Sequence, residues 1–390
     1  MLGNKNKYTL LRVFYVFLSP FYSLLSLFVR KNNNIIITGS LNQEYSDNAK
    51  ALFEILINED KFNDKVYFVI NDKYKRHQFN KIYPGRFISN LSFKNAFFIL
   101  KARYWFCSAM ELPLAVFFQR HLRQVTHLGH GMLYKKIGLI ETQVSWYKKI
   151  YYILVTSSFT YTIATTPFCQ KVISAGFGMP LKRVILTPQP KTAQIAFPLK
   201  IEDKTLSNKE SMHVLYAPTW RPYASVKLFP FDDFKLSILT NFLADENIHI
   251  WLRVHPRFEQ DIDSELLANP NIHLFSAKEY SEINSYLSYF DALITDFSSI
   301  YYDYLTLERP VLFFDYDFTK YNEMVGVIDD YKKVKATETI VNYTQFQQQL
   351  LCIKNGGFDL ERIKEVNKIV NYPVRNEFIE KVVLNKLNLF

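Results

Sequence analysis

The sequence predicts an α/β protein of two lobes, each a parallel sheet covered on both faces, behind an N-terminal membrane-associating segment. Three observations predict it: β-rich runs alternate with amphipathic stretches, the alternation restarts after one polar segment, and a nearly uncharged apolar run precedes the first strand. A length of 390 residues agrees, because single cores stop growing well below it.

The first element is Tyr8 to Val29, YTLLRVFYVFLSPFYSLLSLFV, with Arg12 as its one charge. As one helix it measures about 33 Å at roughly 1.5 Å per residue, close to the thickness of a bilayer core. Pro20 removes a backbone donor and is expected to kink or end the helix near Ser19. No small-residue cleavage site follows, which argues against a signal peptide. Three placements stay open: a helix lying on or re-entering the interface, a true span, and a buried domain helix. Lys5, Lys7, Arg12, Arg30 and Lys31 have no acidic neighbour, which suits an anionic cytoplasmic leaflet. The segment is assigned residues 1–33.

The first lobe is expected over 34–205. Strands read at Asn34 to Gly39 (NIIITG), Lys65 to Asn71 (KVYFVIN), Tyr104 to Ser108 (YWFCS) and Gln124 to Gly129 (QVTHLG), and a helix at Asp47 to Ile57. The polar segment Lys200 to Met212 leads into a second lobe, 206–390. There HVLYAPTW, IHIWLRVHP, DALITDFSS and PVLFFDYD supply four further strand-like runs, and a helical pattern around Glu361 to Leu389 is placed to pack back across both lobes. Strands and helices in alternation imply parallel, Rossmann-like sheets, whose ligands bind beyond the carboxyl ends of the strands.

Composition narrows the partners. An apolar fraction of 48% with 22% charged residues is that of a folded chain. The net charge of +10 favours an anionic partner. No basic stripe interleaved with aromatics is present, so nucleic acid is not expected. Cys107, Cys169 and Cys352 are far apart and odd in number, which supports neither a disulfide framework nor a zinc ribbon and fits a reducing cytoplasm.

Four strand ends carry chemistry. In TDFSSIYYDY the strand runs into Thr295, Asp296, Ser298 and Ser299 and then a helix-like stretch with Asp303, so the serines fall where free N–H groups, hydroxyls and the positive helix end coincide. An ordinary N-cap has the same sequence. RVHPR offers Arg253, His255 and Arg257, a phosphate-binding and charge-neutralising set or a solvated basic edge. APTWR gives Thr219 and Arg221, a further donor of the same sign. In VTHLGHGMLYKKIG, Gly129 and Gly131 leave room around His130, which can accept a proton from a hydroxyl at cellular pH; a turn or core histidine fits the same residues. His121 and His127 lie nearby without a carboxylate or cysteine at ligand spacing, so no metal site is assigned. Asp315-Tyr316-Asp317 mimics a metal-binding DxD and reads as a strand end. No G-x-S-x-G elbow is present, which argues against a Ser-His-Asp hydrolase.

HGMLYKKIG, LYAPTWR, RVHP, LITDFSSIYYDY and RPVLFFDYDFTKY, in that order, resemble the CDP-glycerol glycerophosphotransferases of teichoic acid and capsule synthesis, the primase and polymerase group with a GT-B-like fold. YSDNAKALFEIL and KARYWFCS look similar too, so the resemblance covers roughly Ile35 to Tyr331. It implies that His130 is the general base on the acceptor hydroxyl and that His255 acts near the donor pyrophosphate, stabilising or protonating the departing CMP. It implies that Thr295, Ser298 and Ser299 hold donor phosphates, with Arg221 and Arg253 adding positive charge; Gly131, Lys135, Thr219, Asp296 and Asp303 support them. The partners implied are a CDP-polyol donor, a lipid-linked saccharide or growing polymer as acceptor, and an anionic membrane surface at the cytoplasmic face, met peripherally or monotopically. No cofactor is implied with certainty, and a Mg²⁺ requirement is left open. Three departures put the donor in question: Met132-Leu133 stands for the family's Thr-Pro, TPQPKT at Thr187 to Thr192 for its GYPRND-like segment, and VGVI at Val325 to Ile328 for RGFY. A GT-B glycosyltransferase using a nucleotide sugar, and a binding module without turnover, are the rival readings. The modest length favours one or few additions over long polymerisation.

Overall fold

The computed structural model describes residues 3–132, 134–375 and 378–387, with side chains from residue 16 onward except that of Arg257. Ile35, Ile36 and Ile37 are all fully buried, the first and third in one apolar cluster and the second in another. That is the period-two signature of a strand covered on both faces. Val214 and Tyr216 against Leu215 repeat it in the second half of the chain.

The first sheet is formed by β1 (Asn32–Thr38), β2 (Val66–Val69), β3 (Phe87–Ile88), β4 (Ala102–Cys107), β5 (Gln124–His127), β6 (Tyr161–Ala164) and β7 (Val184–Leu186), in the order β3-β2-β1-β4-β5-β6-β7. The second is formed by β8 (Met212–Ala217), β9 (Ile248–Leu252), β10 (Ile272–Leu274), β11 (Ala292–Thr295) and β12 (Val311–Phe313), in the order β10-β9-β8-β11-β12. Every pairing is parallel. Both orders reverse direction after their first strand, the doubly wound pattern that opens a crevice at the switch point. In the second sheet that crevice lies between β8 and β11, the strands that lead into Thr219 and Asp296.

α1 (Gly3–Phe28) runs on through Pro20, so the helix does not end near Ser19. Pro20 cannot donate to the carbonyl of Val16, and the Ser19 hydroxyl donates to that oxygen instead, at 2.9 Å. Among the described residues no helix is long and apolar enough to cross a membrane. The helical pattern at 361–389 is two helices, Glu361–Val370 and Ile379–Lys386. The second returns to the first sheet, where Ile379, Val383 and Leu384 join its outer core and Gln124 Nε2 donates to Leu387 O at 2.9 Å. β3, β6, β7 and β10 have two to four residues each, too few for their periodicity to stand out in the sequence.

Candidate active site

On the first-lobe side the loop after β5 carries His130. Gly129 turns the chain at φ +66°, and Asn48, in the first turn of α2 (Asp47–Ile57), donates its Nδ2 to the carbonyls of Leu128 and Gly129 at 3.1 and 3.0 Å. His130 Nδ1 lies 3.2 Å from Asp47 Oδ2, and both side chains remain partly exposed. Partial burial works to raise the Asp47 carboxyl, and the His130 hydrogen bond and the Lys191 charge outweigh it and hold the carboxyl below its ordinary value. Lys191 is buried; its ammonium donates to His130 O and to Asp303 Oδ2, each at 2.8 Å. Burial opposes that charge, but the carboxylates of Asp303 and Asp47 hold the lysine above its usual pKa.

On the second-lobe side Arg221 is the hub. Its guanidinium is buried, donates Nε and Nη2 to Asp317 at 2.9 and 2.7 Å and Nη1 to Asp296 at 2.7 Å, and lies over the rings of Phe297, Tyr316 and Tyr321. Asp296 Oδ1 accepts from the backbone N–H of Thr219 at 2.8 Å, so the ends of β8 and β11 are tied together. The Arg221 side chain therefore organises the crevice from behind and does not present its fork to it. Thr295 is likewise turned away, its buried hydroxyl donating to Ala217 O at 2.8 Å. The buried hydroxyl of Thr219, by contrast, has no protein partner. Ser298 and Ser299 are partly exposed, and Ser299, the N-cap of Ile300–Leu305, makes no capping bond with its side chain.

The two sides meet at Gly131. A Cβ placed there would lie 3.3 Å from Ser299 Cβ and Oγ and 3.4 Å from Lys191 Nζ, a tight fit at a φ of +154° that favours glycine. A cleft of about 270 Å³ opens beside it, with His130, Lys135 and Ser299 at its polar end and Met132, Ile163, Ile173 and Phe177 along its walls. Lys135 joins Val327 in an antiparallel bridge and passes 5.9 Å from the ring of Tyr321, while burial lowers its pKa. Lys136 pairs with Asp329 at 2.6 Å. Leu133 lies outside the described residues. His127 lines the cleft with its Nδ1 unpartnered, and burial pushes it down to about 3.

His255 follows β9 and is exposed beside Phe258. Arg253 donates to the carbonyls of Phe275 and Tyr280 at 3.1 and 2.8 Å, which anchors the segment after β10. Neither residue lines the cleft beside His130, and the Arg257 side chain is outside the description. Among the described residues no group of three or more His, Cys, Asp or Glu side chains is arranged to hold a metal ion.

Asp47 and Asp317 are site residues that pattern reading missed. Asp47 reads as a helix start and Asp317 as a strand end, and their roles come from partners 83 and 96 residues away. Lys191, which lies in the divergent TPQPKT segment, touches both sides through His130 O and Asp303 Oδ2.

A family model described as CDP-glycerol:poly(glycerophosphate) glycerophosphotransferase matches residues 21–373. A teichoic acid poly(glycerol phosphate) polymerase of Bacillus spizizenii is 25% identical over 88% of this chain and 94% of its own. A teichoic acid glycerol-phosphate transferase of Staphylococcus aureus is 24% identical over 80% of this chain and 82% of its own. In fold, a wall teichoic acid polymerase TagF variant soaked with CDPG superposes with a TM-score of 0.73 at 19% identity, over 99% of this chain and 98% of that one. The S. aureus MnaA–UDP structure gives 0.58 at 12% identity over 92% and 98%.

Proposed function

The chain belongs to the CDP-glycerol:poly(glycerophosphate) glycerophosphotransferase family and is a polyol-phosphate transferase; from that premise we propose that it moves glycerol or ribitol phosphate from a CDP-activated donor to a lipid-linked saccharide or growing polymer, releasing CMP. The observation that carries this reading is the contact of Gly131 with Ser299, which sets the His130 loop of one sheet against the hydroxyl-rich helix start of the other. A base and an anion-holding turn on opposite walls of one cleft are what in-line phosphoryl transfer needs, since its catalysis is mostly positioning and charge stabilisation.

His130 takes the proton of the acceptor hydroxyl as the new oxygen–phosphorus bond forms. Ser298 and Ser299 hold donor oxygens, and His255 neutralises charge on the departing CMP. Arg221 and Asp296 are assigned to shaping the switch-point crevice, and Arg253 to holding its neighbouring loop. The first lobe, 34–205, is the acceptor side and the second, 206–390, the donor side.

The reaction takes place at the cytoplasmic face of a membrane. Phe17, Phe21, Leu24 and Phe28 form one exposed stripe of α1, while Ser19 and Ser26 on the opposite face are buried. The 117–118 segment lies between this helix and Trp146–Thr156, the Phe117 N–H donating to Ser23 Oγ and the Phe118 N–H to Ser157 Oγ just past the second helix, where Trp146, Tyr147, Ile150 and Ile153 are exposed as well. Such a surface lies in an interface rather than across it.

The test is nucleotide release from CDP-glycerol, CDP-ribitol and a panel of UDP- and CMP-sugars, with a lipid-linked saccharide as acceptor. Release of CMP from a CDP-polyol, abolished in His130→Ala, is expected. Release from a nucleotide sugar alone overturns the donor assignment, and tight donor binding without any turnover points to a binding module.

A further inference from the structure

We propose that Asp47 is a positioning residue for His130, holding the imidazole by Nδ1 so that Nε2 faces the acceptor hydroxyl. The inference rests on the reading of His130 as the base. Three observations carry it. The Nδ1 to Oδ2 separation of 3.2 Å leaves Nε2 as the ring nitrogen that this contact does not use. Asp47 stands at φ +54°, a left-handed conformation that a non-glycine residue holds when the surroundings demand it. The main chain of His130 is fixed independently, because Lys191 Nζ donates to its carbonyl oxygen and to Asp303 Oδ2, both at 2.8 Å.

An acidic residue in the first turn of a helix would be favoured by the helix dipole wherever its side chain pointed. Here the carboxylate instead reaches a ring on another segment, while Asn48, its neighbour, bonds the carbonyls of Leu128 and Gly129 in the same loop. The ring of the base is thus held from α2, and its backbone from α2 and the 190–192 turn, which Asn48 ties together by accepting from the Lys191 N–H at 3.1 Å.

The groups facing Asp47 define its charge state. His130 comes from the loop after β5, Lys191 from the 190–192 turn, Asp303 from the Ile300–Leu305 helix and Glu282 from the segment before Ile283. Lys191 is the cation among them, it is paired to Asp303, and the Asp47 carboxylate remains ionised beside His130.

In the step itself the acceptor oxygen forms its bond to the donor's distal phosphorus and its proton passes to His130 Nε2. The bond from that phosphorus to the bridging oxygen breaks, and its electron pair leaves on CMP. Nδ1–H stays where it is, and the Asp47 carboxylate balances the imidazolium charge without taking the proton.

The full chain with Asp47→Asn, Asp47→Glu and His130→Ala separates the possibilities. CMP release is followed with CDP-glycerol and CDP-ribitol, together with donor Kd, thermal unfolding and the ¹⁵N signals of the imidazole nitrogens. Asp47→Asn is expected to lower kcat by about 100-fold or more, with donor Kd within about twofold and an unchanged melting temperature. The Nδ1–H tautomer expected to dominate in the parent should lose its dominance, and Asp47→Glu should recover part of the rate. If His130→Ala is inactive while Asp47→Asn turns over like the parent, the positioning role is wrong and the base stands. If Asp47→Asn loses activity only in proportion to a lower melting temperature, with the tautomer unchanged, Asp47 is merely structural and the proposal is overturned. Full turnover by His130→Ala removes the base reading and this inference with it.

Discussion

The guanidinium of Arg221 and the ring of His255 show how two cationic side chains from similar strand ends take different parts. Arg221 is enclosed, with three of its nitrogens on two carboxylates, so its removal leaves Asp296 and Asp317 without their counter-charge. Breaking a buried pair in this way costs about 3 to 5 kcal/mol. Arg221→Met is therefore expected to lower the urea midpoint of unfolding strongly, with Arg221→Lys recovering only part because an ammonium cannot reproduce the bidentate geometry. A midpoint unchanged in Arg221→Met would show that the network contributes nothing to the crevice. His255 is exposed, so His255→Ala is expected to leave stability within about 0.5 kcal/mol. If it neutralises the leaving group, turnover should drop by roughly 10²-fold, and kinetics near the parent's would remove it from the donor side. Both residues stood out in the sequence because Arg and His at strand ends are conspicuous. What could not be read was which of them faces a ligand, since that depends on Asp317, 96 residues from Arg221 along the chain.

The helix α1 is apolar on its exposed side as well as on the side that meets the protein. Residues 17, 21, 24 and 28 fall on one stripe at helical spacing and are exposed, whereas Ser26 donates to Gln119 Oε1 at 2.8 Å and accepts from Arg123 Nη2 at 2.7 Å on the opposite side. Tyr22 and Leu25 pack against the core on that inner side beside Ser26, while the exposed stripe is apolar as well. A double substitution Phe21→Asp, Leu24→Asp should abolish co-sedimentation with anionic vesicles and leave the melting temperature unchanged, because neither side chain is part of the core. Co-sedimentation equal to the parent's would take this face off the membrane. The apolar run itself was visible from composition, as was the presence of Pro20. The continuity of the helix was not, nor was the bond by which the Ser19 hydroxyl serves the Val16 carbonyl that proline leaves unpaired. Ser19→Ala is expected to destabilise the chain by about 1 kcal/mol, read as a lower urea midpoint, because the Val16 carbonyl loses its partner.

At the scale of the molecule the alternation of strand and helix was legible, as was the restart after Lys200, because parallel sheets demand long apolar runs that few other folds share. The closure of the lobes was less so. It is built from single contacts: Lys136 N–H to Gly326 O at 3.1 Å, Ile328 N–H to Tyr134 O at 3.2 Å, and the ring of Tyr134 among Tyr301, Tyr302 and Tyr331. These contacts couple the halves, so that histidines in either one should act on the same unfolding transition. His127 is buried between Phe159 and Phe177 and held neutral down to about 3, and in the second lobe His249 is lowered to about 4 by burial and by His273, whose Nε2 lies 2.9 Å from its Nδ1. In the unfolded chain these rings titrate near about 6.5. Between the two values the unfolded state binds more protons, so their stabilising effect is complete above about pH 6.5 and is lost as pH falls toward the folded values. By pH 5 His127 alone should cost roughly 2 kcal/mol, with the half-exposed His249 and His273 adding a smaller, solvent-screened amount. Urea midpoints measured from pH 7 to pH 5 should fall accordingly, and His127→Gln should flatten that fall even if it lowers stability at pH 7. A midpoint constant over this range would mean that the ring can be protonated in the folded chain, and that the apolar wall of the cleft beside His130 admits water.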